Sequence, residues 1–168
     1  MTISGHTIRK VSDQDKDAVV VIINYFIEHS YANYMEGKVD GSFFDMARNM
    51  CRNGIFYVID SPRDGVIGFG MLRPHMYPGL FKRAAEVSYF ILPEHTHKGL
   101  GGELLATLEQ EAQKVEIATL LANISSRNEQ SIAFHRKQGF KDCGRFERIG
   151  SKFGKDFDVV WMQKFISS

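Results

Sequence analysis

HTHKGLGGELL, residues 95–105, decides how this chain is read. Three glycines, Gly99, Gly101 and Gly102, fall between a β-rich run that Pro93 ends and a helix-forming run that begins at once. The first N–H groups of a helix have no partner inside it and carry the positive end of its dipole. Glycine lets the main chain take positive φ and come close to a bulky group. A strand, a glycine turn and a helix start together form a cradle for phosphate, to which Lys98 adds charge. The loop is not the P-loop, because GxxxxGK[ST] is absent, and G-x-G-G lacks the spacing of the dinucleotide fingerprint. A glycine-rich turn that serves tight packing explains the loop equally well.

Working outward, the pattern predicts a short strand over Thr7–Val11. A helix follows, capped by Ser12, carrying Asp13 and Asp15 in its first turn and running to Glu28. A second helix opens at Ser42 and closes on Gly54. Ile55–Asp60, the turn Pro62–Gly65 and Val66–Arg73 form a hairpin. Ala85–Leu92 is a strand in which Val87, Tyr89 and Ile91 alternate with Glu86, Ser88 and Phe90. A helix from Gly99 to Gln113 comes next. Ile117–Ile124 is a strand whose near-continuous apolar character implies cover on both faces. Asn128–Gln138 is a helix, and Phe140–Ile149 and Asp156–Phe165 are two final antiparallel strands. The order β-α-α-β-β-β-α-β-α-β-β describes a mixed α/β sheet with helices on its faces.

The 168 residues suit one domain, 1–168, with a substantial core. Lys plus Arg number 21 and Asp plus Glu 20, so a net charge of +1 gives no general attraction to nucleic acid or an anionic membrane. An anion site must therefore be local. Two distant cysteines, Cys51 and Cys143, exclude a disulfide scaffold and suit a reducing cytoplasm. MTISGHTIRK lacks the apolar core of a signal peptide, and the apolar run Ala18–Ile23 is too short to span a bilayer.

A second signal lies downstream, where Asn128 starts a helix that contains Ser131, Phe134 and His135 and stops at Gly139 before Phe140. Glycine loop and Asn helix occur in this order, one strand apart. At this point the chain resembles the GNAT N-acetyltransferases, and within them the phosphinothricin acetyltransferase group. The likeness is carried by Asn24–Ser30 with Asn33 and Tyr34, by Gly68–Pro74, by Glu86–Ile91 running into the loop, by Gly150–Gly154, and by Asp158–Gln163. It implies a single domain with a mixed, mostly antiparallel sheet of about seven strands and helices on both faces. It also implies acetyl-CoA as cosubstrate, no metal, and a homodimer, for which the apolar strand Phe157–Phe165 with Trp161 would suit an interface. One departure is Thr96, where the family loop usually has Arg or Gln. Another family variable is His135: many members have Tyr there, and the phosphinothricin group has His.

The implied reaction moves an acetyl group from a thioester to a primary amine, whose pKa of roughly 8 to 10 demands a base. The resemblance makes Glu86 that base; a glutamate on a solvated strand face is the plainer alternative. Backbone groups of Tyr89, Phe90 and Ile91 are expected to pair with pantetheine. His97, Lys98, Gly99, Leu100, Gly101 and Gly102 are expected to hold the pyrophosphate, and Asn128 to bond the pantetheine amides or simply cap its helix. His135 either protonates the departing sulfur or packs. Arg73, with Lys82 and Arg83 nearby, is expected to pair with acidic groups of an amino-acid acceptor, and Tyr34 to wall the pocket; solvated charges and a core aromatic are their rivals. His6, His29, His75 and His95 show no metal-ligand spacing. The acceptors implied are phosphinothricin, methionine sulfone, methionine sulfoximine or a similar small amine. A peptide or protein N-terminal acetyltransferase and a non-catalytic acyl-CoA-binding module are the alternatives.

Overall fold

The structure, a computed structural model, describes residues 5–77 and 79–167. The first four residues of the segment examined for a leader, and Pro78 in the 74–83 loop, lie outside the described residues. Seven strands form one sheet: β1 Thr7–Lys10, β2 Phe56–Ser61, β3 Gly65–Pro74, β4 Ala84–Ile91, β5 Thr119–Ser125, β6 Lys141–Lys152 and β7 Lys155–Phe165. Four helices accompany them: α1 Lys16–His29, α2 Gly41–Met50, α3 Leu100–Lys114 and α4 Glu129–Lys137. The sheet order is β1-β2-β3-β4-β5-β7-β6. Every neighbouring pair is antiparallel except β4 and β5. The helical crossover through α3 makes that one parallel pair.

Period-two alternation divides the core between the two faces. Ala85 and Val87 of β4 join Leu104, Leu105 and Leu108 of α3, with Leu120 and Ala122 of β5. On the other face Phe56, Val58, Phe69 and Met71 pack against Ile22, Ile23 and Ile27 of α1 and Phe44 of α2. Phe90 leans into that second cluster.

The structure corrects several sequence expectations, each for a local reason. Ser12 opens a 3-10 turn over Asp13–Asp15, and α1 itself starts at Lys16. Asp15 is held by Nη1 and Nη2 of Arg9, each at 2.8 Å, and by the Ser12 N–H at 2.8 Å, which tightens that turn. The cap of α2 is Asp40, whose carboxylate accepts the Ser42 N–H at 2.9 Å. The helix stops at Met50 because Cys51 is extended; Gly54 closes a separate 3-10 turn. β5 is covered on one face only: Leu120, Ala122 and Ile124 are buried, whereas Thr119, Leu121 and Asn123 are half-buried. Finally, β7 pairs with β5 on one side and β6 on the other, so the strand expected at an interface is interior and the sheet's free edges are β1 and β6.

One feature of the sheet positions the site. β4 and β5 pair only at Ala84/Thr119, Ala85/Leu120 and Glu86/Leu121. Past Glu86, β4 keeps its pairing to β3 as far as Ile91, and β5 keeps its pairing to β7 as far as Ser125. The two central strands therefore part, and β4 is left with an unpaired edge facing a gap.

Candidate active site

The gap is a narrow cleft of about 80 Å³ lined by Ser88, Tyr89 and Phe90 on one wall and Asn123 and Ser125 on the other, with Asn128 and His135 at its helical end. Unpaired main-chain N–H and C=O groups along a strand edge are a template for any extended chain that carries amides.

Beyond Ile91 the chain makes a short turn and enters the glycine loop. His97 and Gly99 both have positive φ, 60° and 83°. Gly99 is the residue before α3, in the left-handed region. The first α-helical bond runs from Glu103 N–H to Gly99 C=O at 3.2 Å, so the N–H groups of Leu100, Gly101 and Gly102 stand free of the helix. A Cβ on Gly101 would lie 3.2 Å from the Phe134 ring of α4. Packing thus needs the missing side chain of this glycine, while its N–H stands exposed at the helix start. Lys98 Nζ donates to the Glu94 carbonyl at 2.9 Å, beside the loop. His97 lies near Gln130 of α4, with its Nε2 3.4 Å from the amide nitrogen.

Asn128 caps α4, its side-chain oxygen accepting the Ser131 N–H at 3.2 Å, which leaves its NH₂ for the cleft. His135 is 3% exposed. Its Nδ1 lies 2.7 Å from the Ser131 carbonyl, and a carbonyl only accepts, so Nδ1 carries the proton. Nε2 then accepts from the Tyr89 hydroxyl. Burial pulls the imidazole down to about 4 and pushes the Tyr89 phenol well up. At neutral pH the pair is an uncharged chain, Tyr89 to His135 to Ser131, with both imidazole nitrogens occupied.

Glu86 stands where β4 and β5 begin to part, next to Val87 of the cleft lining, and its side chain is 15% exposed. Arg73, its register partner on β3, donates from Nη2 to Oε2 at 3.1 Å. Asn123 donates to the same oxygen at 3.3 Å. His75 Nδ1 lies 2.8 Å from Oε1. The His75 ring meets Phe81 and Trp161 edge-on, at centroid distances of 6.0 and 5.9 Å. Arg73 keeps a buried Nε with no hydrogen-bond partner among the described residues. Lys82 and Arg83 are exposed.

The 30–36 loop contributes Tyr31, Ala32 and Tyr34 to the cleft lining. Lys152 donates to the carbonyls of Ser30 at 2.8 Å and Asn33 at 2.7 Å, and burial lowers its pKa. Tyr34 stacks on Phe157 at 5.5 Å and lines the cleft, and burial pushes its phenol up to about 12.

Glu86, Arg73, Asn128, His135 and the loop were all legible as candidates in the sequence. His75, Asn123, Ser131 and Lys152 were not. His75 follows Pro74 in an irregular stretch, and Asn123 sits in an apolar run, so neither stands at a spacing that announces chemistry.

A splayed β4–β5 pair, with a glycine turn and helix start at its mouth, is the architecture of an acyl-CoA transferase. The GNAT acetyltransferase domain matches residues 22–161, and the chain belongs to this family of N-acetyltransferases, which use acetyl-CoA as cosubstrate. It is 32% identical over 162 residues to the L-methionine sulfoximine/L-methionine sulfone acetyltransferase of Salmonella typhimurium, covering 94% of this chain and 92% of that one. A Salmonella typhimurium acetyltransferase solved with acetyl-CoA superposes with a TM-score of 0.87 at 26% identity, over 98% of this chain and 96% of the other. The ribosomal-protein-alanine N-acetyltransferase of Brucella melitensis superposes at 0.82 with 34% identity, over 95% and 99%.

Proposed function

We propose that this chain, as one N-acetyltransferase domain over residues 1–168, acetylates the primary amine of a small amino-acid-like acceptor such as methionine sulfone, methionine sulfoximine or phosphinothricin. The observation that carries the reading is the Glu86 carboxylate, held by Arg73, His75 and Asn123 at the end of the open β4 edge. The Salmonella methionine sulfoximine/methionine sulfone acetyltransferase, similar along nearly its whole length, supports the acceptor class.

Acetyl-CoA enters with its pantetheine along Tyr89, Phe90 and Ile91. Its pyrophosphate rests on the residue 97–102 turn, and Asn128 holds the arm from the α4 side. A β4 N–H polarises the thioester carbonyl and receives the developing oxyanion. Glu86 supplies the negative charge of the base that lets the amine attack. The acceptor's own carboxylate pairs with Arg73, whose free Nε is a buried donor in want of an acceptor. Tyr34 walls the pocket. Tyr89 and His135 set the floor beside the sulfur, and in the resting state the hydroxyl is the only proton-bearing group their mutual bond contains.

The Brucella relative favours a second reading, acetylation of a peptide N-terminus. The Lys152 clamp weighs against it, because a tethered 30–36 loop leaves little room for a chain running beyond the first residue. Mass spectrometry of products from an acceptor panel separates the two. A single acetyl group on free methionine sulfone, and none on an alanine-led peptide, is the expected result; the reverse would replace the small-acceptor reading with the peptide one.

The protein functions in the cytoplasm as a homodimer in this account. The free edge of β6, exposed along most of its length and bearing Phe146 and Ile149, is the surface suited to pairing.

A further inference from the structure

We propose that His75 is the atom-level base of the reaction: its Nε2 takes the proton from the acceptor nitrogen, and Glu86 orients the ring and stabilises the imidazolium. The inference rests on the acetyltransferase reading above and narrows its base from a carboxylate to a carboxylate–imidazole dyad.

The geometry points to it in three ways. First, the Glu86 carboxylate is already engaged on both oxygens, by Arg73 and Asn123 at Oε2 and by His75 at Oε1. Neither oxygen is left without a donor to hold it, so the carboxylate is placed to orient its neighbours. Second, a carboxylate can only accept when ionised, so His75 presents Nδ1–H to Oε1 and its lone pair is at Nε2. This is how an acid orients a catalytic imidazole elsewhere. Third, Nε2 has no hydrogen-bond partner among the described residues, while the side chain is 22% exposed. Phe81 and Trp161 hold the ring by its faces and edges and offer no competing proton. Arg73 and Glu86 are the charged groups at this end, one of each sign; Asn123 is neutral. His135, by contrast, has both nitrogens occupied and is nearly sealed.

The acceptor ammonium sheds one proton to solvent, and the neutral amine attacks the thioester carbonyl, forming the N–C bond. The nitrogen's second proton passes to His75 Nε2. The C–S bond breaks with its electron pair on sulfur, the thiolate takes a proton from solvent, and the imidazolium returns its proton to solvent.

His75→Phe and His75→Asn test this with methionine sulfone and saturating acetyl-CoA across pH 5 to 9. Phe keeps the ring contacts; Asn keeps a donor for Glu86. Both are expected to lose on the order of 100-fold in kcat, with acetyl-CoA affinity unchanged, and to alter the pH profile of kcat relative to wild type. Wild-type kcat in His75→Asn would reduce His75 to a positioning residue. Wild-type kcat and pH profile in His75→Phe would return the proton to Glu86 alone. Nitrogen NMR of the wild-type protein gives a test that needs no variant: His75 is expected as the Nδ1–H tautomer, and an Nε2–H tautomer overturns the dyad. Absence of wild-type turnover with any amino-acid acceptor overturns the parent reading, and the dyad with it; loss confined to the variants does not touch the parent.

Discussion

His135 shows how one buried side chain links the site to the stability of the chain. Its folded pKa is about 4, lowered by burial, against an ordinary value near 6.5. Between those values the unfolded chain binds a proton that the folded chain refuses. Stability is therefore fully present above pH 6.5, falls as pH drops through the window, and stops falling below pH 4. The total is about 3 kcal/mol, order of magnitude. Urea midpoints measured from pH 4 to 7 are expected to slope upward in wild type and to flatten in His135→Gln; equal slopes in both would remove His135 from the acid sensitivity. The same burial explains why the role of this residue was not readable from sequence. A histidine in a helix looks the same on paper whether its nitrogens are free or, as here, shared with Tyr89 and Ser131.

The glycine turn and α4 act as one unit at the level of elements. Gly101 lies against Phe134, so a side chain there pushes on the helix that carries Asn128 and His135. Gly101→Val is expected to cost about 1–3 kcal/mol as an overpacked contact and to raise the acetyl-CoA KM. An unchanged KM would separate the turn from cofactor binding. The 30–36 loop makes the opposite prediction. Lys152→Met leaves two carbonyls without their donor. It is expected to raise the acceptor KM several-fold while the acetyl-CoA KM stays as it was; if steady-state kinetics show the acceptor KM unmoved, the clamp does not shape the pocket. Most element identities followed from period and caps, because Gly, Pro and Asn mark turns by their own backbone chemistry. Exact ends did not, since Asp40 outcompetes Ser42 as cap, and Arg9, distant from the helix, reshapes the start of α1.

Across the whole sheet, the partly unzipped β4–β5 pair opens a gap, with the Glu86 cluster where the strands part and the α3 start beyond the end of β4. No single residue encodes this parting. It arises from β5 staying with β7 while β4 stays with β3, a choice made by tertiary packing. The glycine loop and Glu86 were legible in the sequence as candidates, while the neighbours of Glu86 came from β3, β5 and the 74–83 loop, brought together only by folding. At the free edge, light scattering is expected to give twice the chain mass, and Phe146→Glu with Ile149→Glu to give the chain mass; a wild-type monomer would leave β6 a solvated edge. The most direct test of the account is thiol release from acetyl-CoA with methionine sulfone, run beside acetyl-CoA titrations of wild type and Glu86→Gln. The account predicts equal cofactor affinity and a turnover at least about 100-fold lower in the variant. Equal turnover would contradict it, because the carboxylate at the end of the open strand would then have no part in the transfer.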